Sequence, residues 1–431
     1  MIRIMKYGEE PNSAIFERST ATADVSGAVA EIIQAVRAEG DKALRRFEEK
    51  FDHVKLEGLE VTPDELEAAM AKVSPEFLGV LERAGANIRA YHAKQLRTGY
   101  VMTQQPGLVV GQRVIPLERV GICVPGSGSG TPLASTVLMN AIPASLAGCG
   151  EICMVTPALP DGTISPAILA AAKVAGVDRV FKLGGAQAVA ALAYGTETVP
   201  RVDKIVGPGG AFVAEAKKQV FGQVAIDMIA GPSEILVVSD AKSDPRYLAA
   251  DMLSQAEHDK NAAAVLVTDS PALAEAVQKE IEAQLPRLAR EEIARASIEN
   301  NGKIIVAEDL KAAIAIAIAN EIAPEHLELC LDDPFDHLAE IRHAGSVFLG
   351  RSCPEAMGDY MAGPNHTLPT GGTARFSSPL SVDDFVKKSQ YIYYTREAQA
   401  AAAADVARFA EVEGLTGHAR SAVIRTGDIE P

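Results

Sequence analysis

The first hundred residues carry a helical pattern. In residues 25–50 apolar side chains fall at 25, 29, 32, 33, 36, 44 and 47, the spacing of an amphipathic helix, with Gly40 as a break. Pro63 in a first turn, with Thr62 before it as a cap, marks a second helix start, and residues 75–95 read as a third. From Val109 the texture changes. Short β-rich runs alternate with Ala-rich helical runs, the pattern of βαβ units and a parallel sheet. Four junctions are rich in glycine. Residues 120–124 lead into 125–130 and a helix through 137; 179–183 lead into Gly184-Gly-Ala-Gln187 and a helix to 194. Residues 203–206 lead into Gly207-Pro-Gly-Gly210 and a helix over 211–221, and 225–229 into Gly231-Pro-Ser233 and a strand over 235–238.

A second α/β segment follows: helix 245–258, strand 263–268, helix 271–285 stopped by Pro286, strand 303–306 and helix 309–320. Ile314, Ile316 and Ile318 alternate as a strand would, but the flanking alanines favour helix. Residues 345–349 read as a strand and 358–379 as loops. Beyond Ser381 the chain reads as mainly helical, the alanine tract 400–404 included. Two α/β modules of like texture suggest an α/β fold of two incomplete, duplicated Rossmann-like domains with parallel sheets, N-terminal helices and a helical C-terminal tail. The expected boundaries are 1–22 for an N-terminal segment, 23–122 with 233–380 for the first domain, 123–232 for the second, and 381–431 for the tail.

Composition narrows the function. The 431 residues are 48% hydrophobic and 23% charged, enough to build a sizeable core. The net charge of -16 has the wrong sign for binding nucleic acid or an anionic membrane, and suits a small soluble substrate. Residues 1–12 are polar and mixed, unlike a leader, and the most apolar run, 312–319, is far shorter than the roughly 20 residues of a spanning helix. Five cysteines (123, 149, 153, 330, 353) form no CxxC pair and read as reduced, buried residues. The expectation is a cytoplasmic protein.

Glycine turns between strand and helix let backbone N–H groups and a helix N-terminus approach a phosphate. The run from Gly126 to Gly130 has GxGxG spacing, but no acidic residue about 20 positions on ends a strand, so the usual dinucleotide fingerprint is not met. Four such junctions together point to a cleft for an anionic cofactor. In Leu253-Ser-Gln-Ala-Glu-His258, Gln255 and His258 are three apart on one helix face and could offer an amide oxygen and an imidazole to one metal; a capped helix end is the plainer reading. Glu325 and His326 stand side by side after Pro324, and both could reach one substrate from an irregular loop, the histidine as a general base and the acid as an activator of water. Asp359 and His366 lie in the loop region, and Glu413 and His418 near the C-terminus; each pair could equally be solvated. The chain has only eight histidines, and four of them sit in such settings.

These stretches together resemble the histidinol dehydrogenase family. The resemblance rests on Gly184 to Leu192, Asp227-Met-Ile-Ala-Gly-Pro-Ser-Glu234, Leu253 to His258, Ala323-Pro-Glu-His-Leu327, Gly358-Asp-Tyr360, Asn365-His-Thr-Leu-Pro369 and Glu413-Gly-Leu-Thr-Gly-His418, and it runs through essentially the whole chain. It implies a homodimer that oxidises L-histidinol to L-histidine in two NAD-dependent steps through a retained aldehyde, the end of histidine biosynthesis, with one zinc per subunit. By resemblance the metal ligands are Gln255, His258, Asp359 and His418, the last reaching across the dimer on the C-terminal tail, with the substrate's imidazole and amine completing six-coordination. Ser233, His326, His366 and Glu413 are similar to the family's further substrate contacts, Glu325 and His326 to its acid–base pair, and Gln187 to a cofactor contact. The departures are on the cofactor side: Cys123 stands where most members carry tyrosine, Gly210 where the third turn has asparagine, and the turn 125–131 is about two residues longer. Cys123 and Gly210 imply either tolerated variation or weaker NAD binding. Two other readings remain open: a related zinc/NAD dehydrogenase of another alcohol such as sulfopropanediol, and a non-catalytic metal- or nucleotide-binding protein. Glu413, which should meet an amine, favours histidinol over the first; Glu325 and His326 argue against the second.

Overall fold

The computed structural model describes residues 1–17, 24–126, 132–307 and 318–427. Its strands in chain order are β1 (Arg3–Lys6), β2 (Tyr100–Met102), β3 (Leu108–Pro116), β4 (Arg119–Cys123), β5 (Glu151–Thr156), β6 (Arg179–Lys182) and β7 (Lys204–Val206). They continue with β8 (Ala225–Ile226), β9 (Glu234–Ser239), β10 (Ala263–Thr268), β11 (Lys303–Val306), β12 (His326–Cys330), β13 (Ser346–Leu349) and β14 (Val386–Tyr394). The chain packs into two units, the first made of Met1–Gln95 and Glu118–Phe385.

The first unit holds two sheets, both wholly parallel. One has six strands in the order β1-β11-β10-β9-β12-β13, the other five in the order β6-β5-β4-β7-β8. Numbered from their own inner strands β9 and β4, both follow one scheme. Three successive strands step outward to one side, and the next two step to the other. This is the doubly wound order, twice over, with β1 added at an edge. Helices cover both faces, so the strands are apolar on both sides instead of alternating. In β9, Ile235 and Val237 pack with Leu248, Met252 and Ile281, while Leu236 and Val238 pack with Val267, Leu327 and Leu329.

Helix Ser26–Glu39 ends at Gly40, whose φ of 55 is the glycine break read from the sequence. Helix Pro63–Met70 starts with a full capping box: Thr62 accepts from the Glu65 N–H and the Glu65 carboxylate accepts from the Thr62 N–H. Helix Ser26–Glu39 packs on Gly185–Tyr194, and Pro75–His92 on Ala134–Ala147. The helical stretch 26–92 therefore sits with the five-stranded sheet, as does β4, whereas the sequence boundaries grouped residues 23–122 with the other module. An amphipathic stripe states that a helix packs, not on which sheet.

Two local differences from the sequence reading matter. Residues 323–327, read as a turn, run into strand β12, with Ala323 at φ 46 supplying the bend. The tail beyond Ser381 opens with the 3-10 turn Val382–Phe385 and then β14, before any α-helix. This strand belongs to the second unit, made of Leu96–Leu117 and the chain from Val386. There β14-β3-β2 form an antiparallel sheet, with β14 paired to β3 over its full nine residues from Val386↔Pro116 to Tyr394↔Leu108. The Lys387–Gln390 stretch shows no apolar alternation; cross-strand pairing alone makes it a strand. Helices Arg396–Val412 and Thr416–Val423 then pack through Ala407, Ala410 and Ala419.

The helix expected over 309–320 lies outside the described residues up to 317, and its described end is helix Ala319–Ile322. The turn expected at 125–131 is described only through Gly126. Among the described residues no helix is long and apolar enough to cross a membrane.

Candidate active site

In the first unit a cleft of about 1750 Å³ runs between the two sheets, and it meets them at opposite ends. From the five-stranded sheet it is lined by the carboxyl ends of strands: Cys123 to Gly126 after β4, Pro157 after β5, Leu183 to Gly185 after β6, and Pro208 to Gly210 after β7. From the six-stranded sheet it is lined by amino ends: Ser233 and Glu234 at β9, Ala263 at β10, Lys303 at β11 and Pro324 before β12.

At that amino edge β12 lies beside β9, and the expected acid–base pair closes around the first residue of β9. The Glu325 carboxylate accepts from the Glu234 N–H at 2.9 Å, and His326 Nδ1 donates to the Glu234 carbonyl at 3.1 Å. A carbonyl only accepts, so Nδ1 carries a proton and Nε2 is the nitrogen free to take one. Nε2 points to Asp359, 3.6 Å from its Oδ1, while Nδ1 lies 3.7 Å from Glu325 Oε2. Phe348 covers the imidazole at 5.9 Å. Both side chains are buried. Burial pushes the Glu325 carboxyl up to about 8. For His326 burial acts downward, but Glu325, Asp359 and Glu355 around it raise the imidazole to about 10.

The predicted metal and substrate residues divide between the units. Gln255 and His258 sit at the end of helix Pro245–Ala256 and just past it, as their spacing suggested. Gln255 is buried, and its Oε1 has no hydrogen-bond partner. His258 opens to the cleft, yet surrounding protein holds its imidazole below the usual range against the pull of Asp359. Asp359 lies in the wide turn Gly358–Ala362; burial acts to raise its carboxyl, but the facing His326 imidazole and the nearby His366 and His258 hold it below the usual carboxylate range. His366 is held low by burial, and its Nε2 bonds Thr136 Oγ1 at 3.2 Å. Ser233 lines the cleft. Thus Gln255, His258, Glu325, His326, Asp359, His366 and Ser233 belong to one unit. Glu413, at the end of helix Arg396–Val412, and His418, in helix Thr416–Val423, are exposed on the other.

No three His, Cys, Asp or Glu side chains among the described residues form a metal-binding group. The first unit offers one amide oxygen, one imidazole and one carboxylate: Gln255 Oε1 is buried without a hydrogen-bond partner, and His258 and Asp359 lie close enough to shift each other's titration. The donor set fits a divalent metal that takes further ligands from elsewhere.

On the cofactor side Cys123 ends β4 and its thiol is pushed up to about 12 by burial. Gly210 caps helix Ala211–Val220, and a Cβ there would meet nothing within 4 Å. Gln187 is buried and its Nε2 donates to Glu48 Oε1 at 2.9 Å. The third turn is clamped from below: buried Lys217 donates to the Gly207 carbonyl and pairs with Asp227, which accepts from the Gly207 N–H.

The sequence reading missed a buried acid group behind His326. Glu328 Oε1 accepts from the Glu355 N–H, Ser254 donates to Glu355 Oε1, and burial raises Glu328, Glu355 (to about 7) and Asp251 (to about 6). A glutamate inside the apolar strand His326–Cys330 was the available sign. Glu48 and Thr136 left no sign at all.

Two dinucleotide-type sheets facing one cleft, with a buried acid–histidine pair bonded to Glu234 at its edge, define an α/β protein of the nucleotide-binding class with an acid–base pair beside its cleft. The sequence profile described as Histidinol dehydrogenase matches residues 16–426. Histidinol dehydrogenases from Syntrophotalea carbinolica and Clostridium acetobutylicum are 54% identical over 98% of this chain and 97% of theirs, and 50% identical over 99% of both. A crystal structure of histidinol dehydrogenase from Elizabethkingia anophelis superposes with a TM-score of 0.92 at 37% identity, covering 99% of this chain and 98% of that one. The chain belongs to the histidinol dehydrogenase family, and is thereby an oxidoreductase of a family that uses NAD.

Proposed function

We propose that this chain oxidises L-histidinol to L-histidine through L-histidinaldehyde, passing two hydrides to two NAD. The observation that carries this is the Glu325–His326 pair gripping Glu234 at the amino edge of the six-stranded sheet, beside a cleft whose other wall is made of glycine turns. In the first step the neutral form of His326, which an imidazole value of about 10 places toward alkaline pH, accepts the alcohol proton at Nε2 as hydride leaves the carbinol carbon, giving aldehyde, NADH and one proton. In the second, Glu325 takes a proton from water as it adds to the aldehyde. The resulting hydrate anion gives its remaining hydroxyl proton to His326, which has passed its first proton to solvent, while the second hydride leaves, giving the carboxylate. Phe348 and the burial of the pair keep bulk water from the imidazole.

Gln255, His258 and Asp359 would hold one zinc, with His418 supplied across a homodimer. A bound zinc would act as a template for the substrate's imidazole and amine. Ser233, His366 and Glu413 complete the substrate pocket in this reading, and Gln187, Cys123 and Gly210 belong to the NAD side. The second unit carries exposed apolar groups that a partner would cover, Phe409 and Val412 on its long helix among them. A cytoplasmic location belongs to the same reading.

The test is NADH formation from L-histidinol with zinc and NAD. Two NADH per substrate is the expected result; one NADH with released aldehyde, or no turnover, sinks the proposal. Loss of specific activity on dilution checks the shared site.

A further inference from the structure

The carboxyl group of Glu48 lies at the start of helix Gly185–Tyr194, where a free helix N-terminus would otherwise face an anion. Its Oε1 accepts two hydrogen bonds, from the Gly184 N–H at 3.2 Å and from Gln187 Nε2 at 2.9 Å. Glu48 is fully buried, and it comes from the wide turn Glu48–Asp52, where a five-residue repeat replaces the usual four. In so wide a turn residues four apart project from one side, so Asp52, which lines the cleft, stands next to Glu48. Burial raises both carboxyls, Glu48 to about 8, and Asp52 also feels His53. Glu48 Oε2 is buried with no hydrogen-bond partner, so a proton held by the carboxyl belongs on Oε2 and leaves Oε1 an acceptor.

Oε1 already receives the Gly184 N–H, so only the NH2 end of the Gln187 amide can face it. The carbonyl end is thereby turned toward Gly185. A Cβ built on Gly185 would lie 2.8 Å from Gln187 Oε1 but 3.3 Å from its Nε2. Gly185 lines the cleft with φ 61 and has no side chain of its own.

We infer that Glu48 is a positioning residue of the cofactor side, which fixes the Gln187 amide so that it offers the dinucleotide an acceptor oxygen and not a donor. The group it recognises is then a hydrogen-bond donor of the cofactor, a ribose hydroxyl or the carboxamide NH2, and not a phosphate. The inference rests on the NAD-linked reading above.

The experiment is steady-state kinetics of the full-length chain with zinc, varying NAD and L-histidinol separately. Glu48→Leu, which removes the acceptor, is expected to raise the NAD KM about tenfold with kcat and the histidinol KM within about twofold. Glu48→Gln keeps an acceptor oxygen and should return the NAD KM to within about twofold of the parent. Glu48→Leu added to Gln187→Ala should cost little beyond Gln187→Ala alone. An unchanged NAD KM in Glu48→Leu, equal shifts in both KM values, or full additivity in the double variant overturns the inference. If Glu48→Leu does not fold, Glu48→Gln decides: a tenfold rise in its NAD KM overturns the inference and a parental value supports it. A parent enzyme that makes no NADH overturns the functional reading itself, and this inference with it.

Discussion

The five-stranded and six-stranded sheets share one strand order but turn opposite ends to the same cleft. In a doubly wound sheet the natural crevice lies at the carboxyl ends, where the strand order reverses. The five-stranded sheet uses that crevice, between β4 and β7. In the six-stranded sheet the equivalent place, between β9 and β12, is filled. Arg351 reaches Asp240 at 2.6 Å and Ser243 at 3.0 Å and also pairs with Asp332, which Lys242 holds from the other side. Ser243 in turn bonds Ser239 at 2.7 Å and the Cys330 carbonyl at 3.3 Å. With that end closed, it is the amino ends that face the cleft, where Glu234 gives its N–H to Glu325 and its carbonyl to His326. In the proposed function one fold serves two tasks: the carboxyl edge supplies N–H-rich turns for a nucleotide, and the amino edge supplies side chains for chemistry.

The comparison is most severely tested by His326→Ala. Loss of the base should lower kcat by about 10²–10⁴-fold in NADH assays, with the urea midpoint little changed. A drop under tenfold would remove the amino edge from the chemistry. On the other sheet, Lys217→Met leaves buried Asp227 without its cation and frees the Gly207 carbonyl. A loss of about 3–5 kcal/mol in urea unfolding is expected, with a raised NAD KM and an unmoved histidinol KM.

Glu48 gives a pH signature. Its folded-state value, about 8, is above the unfolded one, so the folded state holds a proton that the unfolded state has released between pH 4.5 and 8. The group's contribution to stability is full below that window and is lost as pH rises through it. Glu48→Gln should remove this decline, improving the variant relative to the parent by on the order of 2 kcal/mol at pH 8 compared with pH 5. Parallel pH profiles of the urea midpoint would contradict it.

Arg351→Ala should cost about 1–2 kcal/mol of stability and leave kcat within about twofold, because its edge is structural. If kcat falls with it, the closed end is coupled to the site and the contrast between the sheets weakens. The smallest effect concerns Gly210. Open space around it admits Asn, a better helix cap by a few tenths of a kcal/mol. If Gly210→Asn together with Cys123→Tyr leaves the NAD KM unchanged, these departures from the family pattern are neutral.

Much was legible in the sequence because the physics involved is local. Short β-rich runs and glycine junctions marked β4, β6, β7 and β9 to within a residue or two. Thr62 with Glu65 announced a capping box, and Gly40 a break. The three-residue spacing of Gln255 and His258 put them together before any fold was known. The contacts that separate the two sheets were not legible. The helices within 26–92 show an apolar stripe whichever sheet receives them, and Lys387–Gln390 become a strand only through β3.

By itself, then, the sequence determined the alternation of elements, the duplicated α/β class and the identity of most chemical groups, since these follow from periodicity and residue chemistry along short stretches. Tertiary structure alone decided which edge of each sheet is open, that Glu325 and His326 share Glu234 as their anchor, and that Glu48 and Gln187, 139 residues apart, form one buried pair. Those depend on distances between strands and helices remote in the chain, and no local pattern encodes them.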